Sequence, residues 1–303
     1  MALTLVVIAA GLGTRFGGPK QLSPVGPSGE TLVDYAIYDA TRAGFTRVVL
    51  VTREELSTRM RDHVARTTGG AVPVQVVEQR LDDLPRGGRV PEGRVKPWGT
   101  AHAVLAARGA VEGPFAACNA DDFYGRHALT RAAEFLAGGQ AGDPAGAFAN
   151  IAYPLRDTLS AAGGVNRAVC HADRDGWLES VEELVDIRRL GDGGYTGTDL
   201  LGRPVRLAAD ALVSMNLWAF TPAVFALLRR GFAEFLTQAS AGRSEFFISH
   251  GIGDAVRRGE ARVRLLGTHS RWLGVTYPED RPHVEGTLRQ LVAAGDYPER
   301  LWG

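Results

Sequence analysis

Arg15 and Lys20 sit in the glycine-rich run Gly11-Leu12-Gly13-Thr14-Arg15-Phe16-Gly17-Gly18-Pro19-Lys20-Gln21-Leu22. Glycine permits close backbone approach and positive φ, and anions favour backbone nests and helix N-termini. The loop can therefore bring backbone N–H groups, a guanidinium and an ammonium onto one set of phosphates. Arginine offers a bidentate fork, which suits the β- and γ-phosphates. Lysine offers a compact point charge, which suits the α-phosphate and the charge that develops there. The spacing is not that of a P-loop, because Gly18 and Pro19 precede Lys20 and Gln21 stands where a magnesium-binding hydroxyl is required. The dinucleotide fingerprint is half met by Gly11 and Gly13, but Phe16 replaces its third glycine. A plain βα turn would not need Arg15 and Lys20 together.

A second chemical feature is the pair Asp121-Asp122, directly after the apolar run Phe115 to Cys118. Hard Mg²⁺ takes one or two carboxylates together with water and substrate phosphates, so one aspartate here is enough to anchor it. Without a metal, the two would be ordinary turn aspartates. Gln79, with Gly99 and Thr100, forms a third group. An amide can both donate to and accept from a pyrimidine edge, and a glycine lets a ring pack on backbone. His102 reads best as a helix-start histidine whose ring is satisfied within the fold.

These residues need elements to hold them. Leu3 to Ala10 is a buried strand that feeds the glycine loop. Helix is expected over Thr31 to Ala43, strand over Arg47 to Thr52, helix over Leu56 to Arg66 and strand over Val72 to Val77. This βαβαβ order implies a parallel sheet with ligands at the carboxyl ends of its strands. Residues 79 to 98, rich in Pro, Gly and Arg, read as a mobile flap beside the nucleotide. A helix should start at Gly99, a central strand should run from Pro114 to Asn119, and a helix from Leu129 to Leu136. A glycine-rich turn is expected over 138 to 146 and a strand over Ala147 to Pro154. Residues 155 to 211 have weak periodicity and short β-like pieces such as Trp177 to Val181, as expected of an insertion. Beyond it we expect a strand over Leu212 to Phe220, helices over Pro222 to Arg230 and Phe246 to Arg258, a strand over Val263 to Leu266 and a closing helix over Pro282 to Ala294.

Composition narrows the function classes. The chain has 303 residues, 45% of them hydrophobic, and a formal net charge of +0, which allows a sizeable core and argues against nucleic acid as a partner. Two cysteines, Cys118 and Cys170, are too few for a disulfide framework or a zinc site and fit a reducing cytoplasm. The N-terminal apolar run is too short to span a membrane, so no membrane partner is expected. A homo-oligomer is compatible with the composition.

Four segments in order, AAGLGTRFGGPKQL, KPWGTAHAV, CNADDFYG and LVSMNLWAFTP, resemble those of the sugar-nucleotide pyrophosphorylases, the nucleotidyltransferases that activate sugar 1-phosphates. The resemblance implies an α/β, Rossmann-like three-layer (GT-A-like) fold with a central mixed, mostly parallel sheet and a smaller acceptor-side β insertion. It implies one nucleotidyltransferase domain over 1–303: a nucleotide-binding half to about 154, an acceptor half over about 155–281, and a C-terminal helix and tail. The implied reaction moves a nucleoside monophosphate from an NTP to a phosphorylated sugar with release of pyrophosphate, using Mg²⁺ held by Asp121. Arg15 and Lys20 join Asp121 as catalytic residues, and Ala10, Gly11, Gly13, Thr14, Gln79, Gly99 and Thr100 bind the nucleotide. A glutamine at the place of Gln79 reads uracil or thymine in the family, which favours UTP or dTTP. Gly164, Glu183 and Asn216 match positions that meet the sugar.

The chain departs from the family pattern twice. Leu184-Val185 follow Glu183 where a lysine-proline pair is usual, and Gly274 stands where a second metal-binding aspartate is expected, with Asp210, Glu279 and Asp280 as substitutes of equal standing. These departures keep two alternatives open, and the strand and glycine loop a third. The acceptor can be a phosphorylated amino alcohol or polyol, or the protein can be a nucleotide sensor without turnover. A nicotinamide-dependent oxidoreductase would want an acidic residue ending the second strand, and Glu54 lies only beyond Arg53.

Overall fold

The computed structural model describes residues 2–11, 20–138, 147–238 and 242–302, with Lys20 described in its backbone alone. The expected glycine-rich turn over 138–146 lies outside the described residues except for Gly138. Strand β1 (Leu3–Ile8) is buried at every position, as a strand covered on both faces must be. It lies between β2 (Phe45–Thr52) and β4 (Phe115–Asn119), and β2 pairs with β3 (Val74–Glu78), all in parallel. The order β3-β2-β1-β4 reverses its direction of winding at β1, so the carboxyl end of β1 is the topological switch point where such sheets bind ligands. The glycine loop starts there. Helices α1 (Leu32–Arg42), α2 (Glu54–Thr68) and α3 (Thr100–Ala106) connect these strands.

Strand β5 (Asp122–Phe123) and helix α4 (Arg126–Ala137) follow β4, and β6 (Ala147–Pro154) returns to the sheet. The segment expected to form an insertion is antiparallel: β7 (Val165–Ala172), β8 (Leu178–Arg189), β9 (Tyr195–Thr198) and β10 (Pro204–Leu207). Strand β11 (Leu212–Phe220) joins the halves, pairing antiparallel with β4, β6 and β7. Its register against β6 shifts between Ser214 and Trp218, and within that bulge Asn216 takes φ 60°. The remaining elements are α5 (Ala223–Leu236), α6 (Ile248–Arg257), β12 (Arg262–Gly267), parallel to β6, β13 (Leu273–Gly274) and α7 (Arg281–Ala293). Helix α6 packs on β8, and β13 pairs with β5, setting Gly274 opposite Asp122. The result is an α/β fold around a mixed sheet, parallel through β3, β2, β1 and β4, with the antiparallel strands β7 to β10 at one side, in agreement with the expected fold class.

Among the described residues no helix is long and apolar enough to cross a membrane, and both cysteines are buried and free.

Candidate active site

Two cavities open along the carboxyl edge of the sheet, and Phe247 lines both. The smaller, about 430 Å³, lies at the end of β1 among Ile8, Ala10, Gly11, Gln79, Gly99 and Thr100, with Lys96 and Glu245 at its side. The fold therefore brings the expected nucleotide-binding residues together wherever they are described. Arg15, Gly13 and Thr14 lie outside the described residues, as does the side chain of Lys20. The described ends of the loop are tied, since Gln21 Nε2 donates to the Gly11 carbonyl at 3.1 Å.

Gln79 is buried, and its amide is oriented by its neighbours. Its Nε2 donates to the Gly99 carbonyl at 3.0 Å and meets His102 Nδ1 at 3.1 Å. His102 Nε2 lies 2.9 Å from the Asp83 carbonyl, which can only accept. The network therefore assigns the Nε2–H tautomer, leaving Nδ1 as the acceptor for Gln79. Burial pushes the His102 pKa below its ordinary value, which keeps the ring neutral and the network intact at pH 7. With Nε2 turned toward His102 and Gly99, Gln79 presents Oε1 as its remaining polar atom. His102 is thus a satisfied interior histidine, as the sequence reading expects, and it also fixes the orientation of Gln79. That second role depends on the Asp83 carbonyl, which no local sequence signal ties to His102.

Gly99 has to be glycine. Its φ is +106°, and a Cβ there would lie 2.6 Å from the Phe246 carbonyl oxygen. The close approach lets Phe246 N–H donate to the Trp98 carbonyl at 2.6 Å and Ala101 N–H to the Phe246 carbonyl at 3.1 Å. Thr100 Oγ1 accepts from Ile248 N–H at 3.1 Å, at the start of α6. The segment over 79–98 is anchored at both ends, with Trp98 fully buried and its Nε1 donating to the Leu81 carbonyl at 2.9 Å.

The larger cavity, about 570 Å³, holds Asp121, Asp122, Glu183 and Asn216, so the expected metal-side residue shares one space with two of the three expected acceptor-side residues. Asp122 is buried, and its Oδ2 accepts from Asn119 Nδ2 at 2.8 Å and from the Tyr124 hydroxyl at 3.2 Å. A Cβ on Gly274 would lie 2.9 Å from Asp122 Oδ1 and 2.3 Å from the Trp272 ring. The Trp272 indole fills the place that a side chain at 274 would need, which is why this position is glycine here. Of the three substitutes, Asp280 accepts from Thr276 N–H, Tyr277 N–H and Ser160 Oγ at 3.0, 2.8 and 2.6 Å, in a capping role. Asp280 and Glu279 line a separate cleft, and Asp210 is exposed.

Glu183 Oε1 accepts from Ser249 Oγ at 2.5 Å, which ties β8 to α6. Asn216 owes its positive φ to the β11 bulge, and its N–H donates to Ser214 Oγ at 3.3 Å. A non-glycine residue in that conformation, with its neighbours fixed by Asn150 Nδ2 bonds to Ser214 Oγ and the Leu217 carbonyl, re-aims a side chain into the cavity. Gly164 lines an adjoining cleft with Asn166 and Arg167, and its carbonyl accepts from the Tyr277 hydroxyl at 2.7 Å.

Residues 5–85 match the family model of the MobA-like NTP transferase domain. No curated protein matches the sequence. Solved structures that share the fold include the inositol-1-phosphate CTP transferase from T. maritima, at 16% identity and TM-score 0.63, covering 95% of this chain and 96% of that one. A protein from Bacillus anthracis assigned as a glucose-1-phosphate thymidylyltransferase, solved with sucrose, gives 13% identity and TM-score 0.63 over 95% and 96%. A UDP-glucose pyrophosphorylase bound to UDP-glucose gives 16% and 0.60 over 96% and 99%. The chain is therefore similar to the MobA-like NTP transferase domain over residues 5–85, and over nearly its whole length it shares the fold of these solved structures.

Proposed function

We propose that the protein transfers a nucleoside monophosphate from UTP or dTTP to a sugar 1-phosphate and releases pyrophosphate. The observation that carries this reading is the meeting of two cavities at Phe247, one lined by Gln79 and Gly99 and the other by two aspartates, Glu183 and Asn216. A base and an acceptor held in adjoining spaces leave the reacting phosphates between them. An oxygen of the acceptor phosphate forms a bond to the α-phosphorus, the bond from that phosphorus to the β-bridging oxygen breaks, and pyrophosphate carries the electron pair away. Such a reaction asks the protein mainly for position and for stabilised charge.

Gln79 Oε1 accepts from the N3–H of uracil or thymine, whereas cytosine offers a lone pair at N3. The three structural neighbours carry cytidine, thymidine and uridine nucleotides in their names, so all of them concern pyrimidines. Ala10, Gly11, Gly13 and Thr14 supply backbone and Arg15 and Lys20 supply charge for the triphosphate. Glu183 and Asn216 face the sugar hydroxyls, with Gly164 in the adjoining cleft. Asp121 and Asp122 are hard oxygen donors in a common cavity. This donor set fits Mg²⁺, which would be held by Asp121 with Asp122 beside it and would neutralise charge on the phosphates when bound. Two free buried cysteines fit the cytoplasm as its compartment.

One neighbour bears the name of an inositol-1-phosphate CTP transferase, so a polyol phosphate is the second acceptor to test. The experiment is pyrophosphate release with Mg²⁺, crossing the common NTPs with glucose, N-acetylglucosamine, mannose and inositol 1-phosphates. Release confined to a pyrimidine triphosphate and one acceptor supports the reading. Release with no pair, while UTP binds, overturns it in favour of a sensor.

A further inference from the structure

Arg167, at the start of β7, is a buried cation with no carboxylate in direct contact. It is 9% exposed, and it is the sole Lys or Arg among the described residues lining the larger cavity. Its Nη1 donates to the Asn166 carbonyl at 2.9 Å and its Nη2 donates to the Thr158 carbonyl. Its Nε has no partner, and among the described residues no carboxylate lies within ion-pair distance of the guanidinium. Burial lowers its pKa to about 10, against the opposing pull of Asp122 and Asp280, which leaves the group charged at neutral pH. The guanidinium carbon lies 5.0 Å from the centre of the Trp272 ring, whose Nε1 is also buried without an acceptor and which also lines the cavity.

Two buried donors without acceptors, one of them charged, stand in one wall of a cavity whose other titratable residues are largely acidic. A buried guanidinium is expensive to leave uncompensated, and its fork matches the oxygens of a phosphate. We propose that Arg167, backed by Trp272, is the anion subsite that receives the phosphate monoester of the acceptor. The subsite shares the cavity with Asp121 and Asp122, so an acceptor phosphate held there has its negative charge balanced on one side by Arg167. Glu183 and Asn216 are left free to meet the rest of the acceptor. Three N–H groups of the guanidinium remain after the two backbone bonds, so binding need not break the contacts that hold β7.

The proposal rests on the reading of an acceptor phosphate in this cavity, but its test requires no turnover. Equilibrium binding of glucose 1-phosphate, inositol 1-phosphate, inorganic phosphate and unphosphorylated glucose is measured by calorimetry on the wild type, Arg167→Gln and Arg167→Lys, with UTP binding and thermal unfolding as controls. We expect the wild type to prefer phosphorylated over unphosphorylated ligand. Arg167→Gln should weaken the phosphorylated ligand by about tenfold or more, Arg167→Lys should retain part of the preference, and UTP affinity should be unchanged. Should Arg167→Gln fail to fold, Arg167→Lys is read alone, and a phosphate affinity equal to that of the wild type counts against the proposal. A wild type that binds none of the phosphates, or a folded Arg167→Gln that keeps the full preference, overturns it. Absence of pyrophosphate release alongside Arg167-dependent phosphate binding would instead remove the catalytic reading and keep the subsite.

Discussion

Replacing His102 by Phe removes the acceptor that orients Gln79 and keeps a ring of similar shape against Phe232, whose centroid lies 4.7 Å away. In the native network a flipped amide would place Gln79 Oε1 against the lone pair of His102 Nδ1, 3.1 Å from the present amide nitrogen, and would lose the bond to the Gly99 carbonyl. The orientation is therefore held by two hydrogen bonds, each worth about 0.5–1.5 kcal/mol net. His102→Phe removes one of them and the lone-pair clash, so the flipped amide gains about 1–1.5 kcal/mol relative to the native one, or about tenfold in population. The assay is the ratio of kcat/KM for UTP to that for CTP with one acceptor. The ratio should fall by about three- to tenfold, through worse use of UTP and better use of CTP. The wild type should show the same trend on acidification. The His102 pKa is depressed by burial, so the stability it contributes is complete above the ordinary histidine value and is lost as pH falls through the folded value, where a protonated Nδ1 can no longer accept from Gln79. An unchanged UTP:CTP ratio in a folded His102→Phe protein would refute the reasoning.

Gly99→Ala forces a side chain into a backbone of φ +106° and onto the Phe246 carbonyl 2.6 Å away, so it should destabilise by at least about 2 kcal/mol and weaken nucleotide binding, whereas a denaturation midpoint equal to that of the wild type would show the close approach to be dispensable. Asp39 is buried, accepts from the Tyr297 hydroxyl at 2.6 Å through Oδ2 and leaves Oδ1 without a partner. Burial raises its pKa from 3.8 to about 7, despite the Tyr297 hydrogen bond, so its contribution is complete below pH 3.8 and is lost as pH rises through about 7. Asp39→Asn should be more stable than the wild type by about 1–3 kcal/mol at pH 8, with the gap closing toward pH 4; urea unfolding at both pH values decides, and equal curves at pH 8 would refute it. Asp121→Asn should fold normally and lose Mg²⁺-dependent pyrophosphate release, and full turnover in that variant would remove Asp121 from the site.

Much of the nucleotide half was legible because its signals are local. An apolar run such as Leu3 to Ala10 can hardly be other than a buried strand, and Asp121-Asp122 follow a central strand that ends at Asn119 in both sequence and structure. Two helices run longer than expected because buried residues continue past the expected bounds: α4 starts at Arg126 rather than Leu129 and includes buried Ala128, and α5 reaches Leu236 rather than Arg230 and includes buried Phe232 and Phe235. The insertion was harder. Strand β8 runs through Leu178–Arg189, but Glu182, Glu183 and Asp186 interrupt its apolar alternation and Asp186 takes φ 53° at a bulge, so only its first residues read as strand. Arg167 and Trp272 were invisible as a pair because they lie far apart in the chain and are joined only by folding. Gly274 was noticed as a departure, and its reason, the Trp272 ring in the space of its side chain, exists only in three dimensions.

The central claim, nucleotidyl transfer, is tested most directly by the fate of isotope in UTP supplied with Mg²⁺ and the acceptor found in the pyrophosphate screen. Label at the α-phosphorus should appear in a nucleotide-linked acceptor, with label at the γ-phosphorus leaving in pyrophosphate in equal amount. Label from the γ-phosphorus in the acceptor, or α-label recovered only in free UMP, would contradict the account.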